Sequence, residues 1–221
     1  MSEDVKTRRG YTSVQRTEQA LATRRAVLAA ARELFTSNGY ASTTVAQIAR
    51  LAGVNTDTLY VAVGRKPAIL RELVETAISG QDHAVPADER DYVRAFRAAP
   101  SAGEKIDIYA RAIGRMGPRT GPIFVALRDA SAKDPQCAAL LAEITGRRAA
   151  NMRRLAADLR ATGSVRPDLT DDEVADIIWA MNSAEYYMLL VEQCGWTTDR
   201  FATHLADTWR RVLLADHRAP E

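Results

Sequence analysis

Apolar residues recur at helical spacing along nearly the whole chain, and strand-like alternation is absent. Val27, Ala31, Leu34 and Phe35 share one face of a helix over 24–37, which stops at Asn38-Gly39. Thr44 with Gln47 three residues on forms a capping box, opening a short second helix that ends at Gly53. Asn55 caps a third that ends at Gly64, and Lys66–Ser79 is a fourth, with Pro67 in its first turn where no N–H is needed. Gly80, Pro86 and Ala99-Pro100 mark a boundary region over 80–103 around one amphipathic stretch, Tyr92, Val93 and Phe96.

Beyond it, Glu104–Met116 is helical, and GPRTGP at 117–122 predicts a break before a short helix through Phe124, Leu127 and Arg128. Asp134-Pro135 starts a long helix with Leu141, Ile144, Met152, Leu155 and Leu159 on one stripe, stopped at Gly163. A second capping box, Thr170 and Glu173, opens a helix expected to run unbroken to Gly195, and a last one carries Phe201, Leu205, Trp209, Val212 and Leu213. The fold class is all-α: an N-terminal helix-turn-helix domain and a larger C-terminal helical domain. The expected divisions are a flexible basic arm (1–20), a head (21–80), a linker with a short helix (81–103) and the larger domain (104–221).

At 47% hydrophobic and 26% charged, the 221 residues suit a globular chain with a sizeable core. No run approaches a membrane span and the N-terminus has no signal-peptide core, so the expected compartment is the cytoplasm, with no membrane partner. Cys137 and Cys194, 57 positions apart in helical stretches, are expected to be buried apolar fillers. His83, His204 and His217 lie too far apart for a helical metal site, and neither metal nor cofactor is expected. Net charge is +2, but residues 1–75 hold 11 Lys and Arg against 7 Asp and Glu, so the basic excess sits at the front, as it would if that end met a polyanion.

The stretch TTVAQIARLAGVNTDTLY, residues 43–60, has what a helix-turn-helix needs: Ala49 small at the crossing, Gly53 to turn, and Ile48, Val54 and Leu59 to pin the second helix on the first. Asn55, Thr56, Asp57 and Thr58 have nothing apolar to bury and would occupy the exposed first turn that enters a major groove. A plain helical hairpin with a polar connection fits the same spacing.

Residues 24–70, with ELFTSNGY, TTVAQIARLAGV, TLY and GRK in order, resemble the DNA-binding domain of the tetracycline-repressor (TetR) family. The resemblance implies a homodimeric regulator, usually a repressor, in which a small-molecule effector bound by the larger domain alters the spacing of two heads on a double-stranded DNA operator. It implies phosphate contacts from Thr43, Thr44, Tyr60 and Lys66. Gln47, Asn55, Thr56 and Asp57 are candidates for base edges, and Thr58 completes the exposed turn. Two departures stand out. Ala62-Val63 replace a large polar residue and a phenylalanine, with Arg65 as a substitute phosphate contact, and Asp57 stands where glycine is frequent. A carboxylate there is repelled by phosphate unless it accepts from a cytosine amino group. The basic arm Lys6–Arg25 fits a minor groove or a solvated terminus equally.

In the larger domain, Val174, Ile178, Met181, Met188, Phe201, Leu205, Trp209 and Val212 suit a four-helix bundle between two subunits. Trp179, Asn182, Ser183 and Tyr186 follow i, i+3, i+4, i+7 and mix rings with hydrogen-bonding groups, as small-molecule sites do. Tyr109, Phe124, Arg128, Asn151 and Met152 face them if the family layout holds; core or dimer contacts are the alternative. Arg128, pointing inward, would favour an anion, or it pairs with Asp129 or Asp134 at the surface. An enzyme finds no support: no nucleophile has a base, and GRMGPRTG follows a helix rather than a strand. A helical module whose basic head contacts protein or membrane is the remaining rival.

Overall fold

The structure, a computed structural model, describes residues 4–215, with side chains from residue 15 onward. Among these the chain is helical: α1 (Asp4–Ser37), α2 (Val45–Leu51), α3 (Thr56–Ala62), α4 (Lys66–Ser79), α5 (Asp91–Ala98), α6 (Ala102–Ser131), α7 (Pro135–Arg160), α8 (Asp171–Met181), α9 (Ala184–Tyr187) and α10 (Thr198–Leu213). A π turn, Met188–Gln193, continues α9. No helix among the described residues is long and apolar enough to cross a membrane. Residues 4–20, expected as a flexible basic arm, are helical as part of α1; residues 1–3 of that arm and 216–221 of the larger domain, His217 included, lie outside the described residues.

Both capping boxes form. Thr44 Oγ1 accepts from the Gln47 N–H, and Gln47 Oε1 accepts from the Thr44 N–H at 2.7 Å; Thr170 and Glu173 do the same for α8. Gly53 turns the chain between α2 and α3 at φ 69°, a left-handed conformation that a Cβ disfavours.

GPRTGP does not break the chain: α6 runs through both Pro118 and Pro122. Pro122 has no N–H to give the Pro118 carbonyl four residues earlier. Arg32 of α1 supplies the missing donor, reaching Pro118 O at 3.1 Å. The glycines there serve close approach instead. A Cβ on Gly117 would overlap the Tyr187 ring, one on Gly121 would come within 3.0 Å of Met188 Sδ, and one on Gly114 within 2.9 Å of Ala202 Cβ.

The helix expected to run unbroken to Gly195 is interrupted. Asn182 closes α8, and the Ser183 hydroxyl accepts from the Tyr186 N–H to cap α9. Cys194, expected to be buried, is exposed at the end of the π turn, whereas Cys137 is buried.

Two apolar clusters form the interior. One joins α1–α4 to the second half of α6 and the first half of α7, through Ile123, Leu127, Cys137, Leu140 and Ile144. The head therefore does not close its own core. The other gathers α5, the first half of α6, the second half of α7, and α8–α10. Val174, Ile178, Phe201, Leu205 and Trp209, expected between subunits, are fully buried in this second core. Met181, Met188 and Val212 pack against it, partly buried. An apolar stripe marks a helix face to be covered, without saying whether the cover comes from the same chain or a second one.

Candidate functional site

α1 ends in a tight turn that brings Tyr40 against Phe35, ring centroids 5.2 Å apart. Thr43, expected on phosphate, is buried, and its hydroxyl donates to the carbonyls of Leu34 (3.1 Å) and Gly39 (2.9 Å). These bonds fix the turn. Lys66 Nζ donates to Thr43 O at 2.7 Å and lies 4.1 Å from the centre of the Tyr40 ring. Burial lowers the ammonium's pKa, opposed by the Asp134 charge. The bond to Thr43 uses one of its three donors.

Thr44 and Gln47 hold each other through the capping box, so the free polar atom of Gln47 is its amide nitrogen. Asn55 Oδ1 accepts from the Thr58 N–H at 2.7 Å and caps α3. Leu59, fully buried beside Ile48, pins α3 to α2. The rest of α3 faces outward: Asp57, Thr58, Tyr60 (47% exposed) and Val61 (90% exposed), with Thr56 partly buried. Asp57 also sits in the first turn of α3, where a carboxylate complements the helix dipole. Arg50 and Arg65 are exposed at the flanks, and Val63, in the departure from the family pattern, packs against the head's core.

Val61 lies outside the expected set because it carries no polar group that marks a contact in the sequence. The period that groups Asp57, Tyr60 and Val61 at i, i+3, i+4 was readable.

The second feature is a cavity of about 170 Å³ between α5, α6, α7 and the α8–α9 junction. Six of the nine expected ligand residues line it: Tyr109, Phe124, Asn151, Met152, Asn182 and Ser183. Three do not. Arg128 pairs at the surface with Glu185 at 2.9 Å, Tyr186 bonds His204 Nε2 at 2.6 Å, and Trp179 lies against the Arg148 guanidinium at 5.3 Å. For Tyr186 the cause is the interruption at Asn182-Ser183: it resets the helical phase, so Tyr187 rather than Tyr186 faces the cavity.

A polar chain crosses the wall. Arg148 donates to Asn182 Oδ1 at 2.6 Å, and Asn182 Nδ2 donates to the Tyr109 hydroxyl at 2.6 Å. That hydroxyl is directed at Met152 Sδ, 3.6 Å away. Burial raises the Tyr109 phenol's pKa and lowers that of the Arg148 guanidinium. Arg148 lies outside the expected set because a lone arginine on a helix reads as a solvated residue.

Three side-chain ties join α7 and its cap to the head. The Tyr40 hydroxyl donates to Asp134 Oδ2, the cap of α7, at 3.0 Å. Arg71 of α4 grips Glu143 of α7 with two bonds, at 3.1 and 2.8 Å, and Glu75 of α4 pairs with Arg147. Arg147 immediately precedes the cavity's Arg148.

Residues 27–73 match the sequence model of the tetR family of bacterial regulatory proteins. No curated protein matches the sequence. Among solved structures, the chain is similar to NalD of Pseudomonas aeruginosa, the secondary repressor of the MexAB-OprM multidrug efflux pump (21% identity, TM-score 0.65, covering 90% of this chain and 99% of NalD). It is also similar to the MbdR regulator from Azoarcus sp. CIB (21%, 0.67, 87% and 100%) and to SmeT in its complex with triclosan (18%, 0.68, 90% and 98%). At these identities the likeness is one of fold.

Proposed function

We propose that this chain, whose N-terminal domain belongs to the tetR family of bacterial regulatory proteins, is a transcriptional repressor that binds a pseudo-palindromic DNA operator as a homodimer and is released by a small molecule held in the α5–α7 cavity. α3 is the reading helix, with Gln47 of α2, Asn55, Thr56, Asp57 and Val61 toward the bases and Thr44, Thr58, Arg65 and Lys66 toward phosphate. Tyr60 joins the base-facing set because it shares the exposed face of Asp57 and Val61, rather than staying on phosphate as the resemblance implies. NalD, of like fold, is described as a repressor, and SmeT was solved with triclosan; both properties are carried to this chain as part of the proposal.

One observation carries the ligand response: α6 and α7 line the cavity at one end and complete the head's core at the other. A ligand that favours one arrangement of these helices thereby favours one position of α4 and the head. Two heads require a second subunit. With the stripe of α8 and α10 spent inside the protomer, Leu189 is the exposed large apolar side chain left in the C-terminal half among the described residues, which supports a subunit contact on the face of the π turn.

Selection of bound duplexes from a random DNA pool at physiological salt tests this reading. A repressor of this kind enriches two half-sites about one helical turn apart or a multiple. Weak binding that enriches nothing and vanishes with salt would overturn it.

A further inference from the structure

We propose that the α5–α7 cavity takes an organic anion, an aromatic or otherwise apolar body bearing one carboxylate, with Arg148 as the residue that receives the carboxylate. This rests on the reading of the cavity as the effector site. The Arg148 guanidinium lies 5.9 Å from the centre of the Phe124 ring and 5.3 Å from that of Trp179, on the cavity wall. Its hydrogen-bond partner is the neutral side-chain amide of Asn182, with a longer contact to the Asn182 carbonyl at 3.5 Å. Among the described residues no carboxylate pairs with it; Glu185, the acidic group whose charge reaches it, is held at the surface by Arg128.

A largely buried cation without a counter-ion is costly, and a guanidinium has five donors in a fork that matches a carboxylate. A ligand carboxylate supplies both the missing charge and acceptors for the remaining donors. Around Arg148 the wall is aromatic, with Tyr92, Phe96 and Tyr187 joining Tyr109 and Phe124. Its charged lining is four arginines, at 90, 97, 148 and 154, against Asp88 and Asp158. Rings alone would also accept an ammonium ion by cation–π attraction. The arginine among them opposes that and selects the opposite charge.

Calorimetric titration of the full chain with 4-phenylbutyrate, 4-phenylbutan-1-ol and 4-phenylbutylamine, which differ only in headgroup, tests the assignment. The acid is expected to bind at least about tenfold more tightly than the alcohol, with the amine weakest. Arg148→Gln should bring the ratio of acid to alcohol affinity close to one, while Arg148→Lys retains part of the preference. The wild-type comparison of acid with alcohol stands even if a variant fails to fold. An alcohol or amine that binds as well as the acid, or a preference that survives Arg148→Gln, would overturn the anion assignment while leaving the cavity a ligand site. Absence of binding by all three up to millimolar concentration would remove the cavity reading and this assignment with it.

Discussion

Two glycines on neighbouring helices should respond to the same substitution with opposite sign. Gly146, on an exposed part of α7, has open space where a Cβ would go, whereas a Cβ on Gly117 of α6 would fall within the Tyr187 ring. In a helix interior, Gly→Ala gains about 1 kcal/mol from backbone entropy and propensity. Gly146→Ala should realise that gain, raising the melting temperature by roughly 2–4 °C.

Gly117→Ala gains the same ~1 kcal/mol but must displace Tyr187. That ring is buried and packed edge-on against Phe201 at 5.2 Å, so it has little room to move. Overpacking of a well-filled core costs roughly 1–3 kcal/mol, and a ring that must shift bodily belongs at the upper end. The net for Gly117→Ala is then a loss of about 2 kcal/mol, and the two variants should differ by about 3 kcal/mol. Urea unfolding at a shared m-value reads the difference directly. Because Tyr187 also lines the cavity, Gly117→Ala should weaken 4-phenylbutyrate binding as well. Equal stabilisation by both substitutions would refute the reasoning that Gly117 is present to seat Tyr187.

Other perturbations separate the roles of neighbouring residues. Lys66→Ala should weaken all DNA sequences alike and reduce the slope of log K against log salt by about one per subunit; an unchanged slope would restrict Lys66 to its bond with Thr43. Asp57→Ala and Val61→Ser should reorder operator variants in competition binding, the first at cytosine and the second at thymine positions, and an unaltered ranking would exclude both from the reading face. Burial pushes the Asp134 carboxyl upward, but the N–H groups of Gln136 and Cys137 and the Tyr40 hydroxyl hold it below its ordinary value. A depressed carboxyl pKa stabilises the fold above the unfolded value and loses that contribution as pH falls through the folded one. The urea midpoint of Asp134→Asn should therefore trail the wild type at pH 6 and converge with it in acid; a gap independent of pH would rule out this linkage.

The head was legible because its signals are local. Asn38-Gly39, the Thr44–Gln47 box, Gly53, Asn55 and Gly80 each act within one turn of the chain, and the helices begin and end where they predict. The larger domain was less legible because its determinants are contacts distant in sequence. GPRTGP reads as a break until Arg32 satisfies the freed carbonyl and Tyr187 covers Gly117. The stripe of Val174, Ile178, Phe201, Leu205 and Trp209 reads alike whether it faces the same chain or another. At the cavity, the residue types were legible on α6, on α7 and at the α8–α9 junction, but the phase of α9 depended on Ser183 serving as a cap, which exchanged Tyr186 for Tyr187. The importance of Arg148 depends on the absence of a paired carboxylate, which no single sequence position displays.

The most direct measurement compares affinity for the selected duplex with that for a scrambled duplex of equal length at physiological salt, for the wild type and for the triple variant Asp57→Ala, Tyr60→Ala, Val61→Ala. Asp57 and Val61 are exposed, Tyr60 is half-exposed, and Leu59 keeps the buried contact of α3, so the variant should fold. A sequence-reading regulator gives a wild-type ratio of at least about 10³, collapsing toward unity in the variant while salt-dependent non-specific binding persists. A wild-type ratio near unity, or a high ratio that survives loss of the three side chains, would contradict the assignment of α3 as the surface that reads DNA.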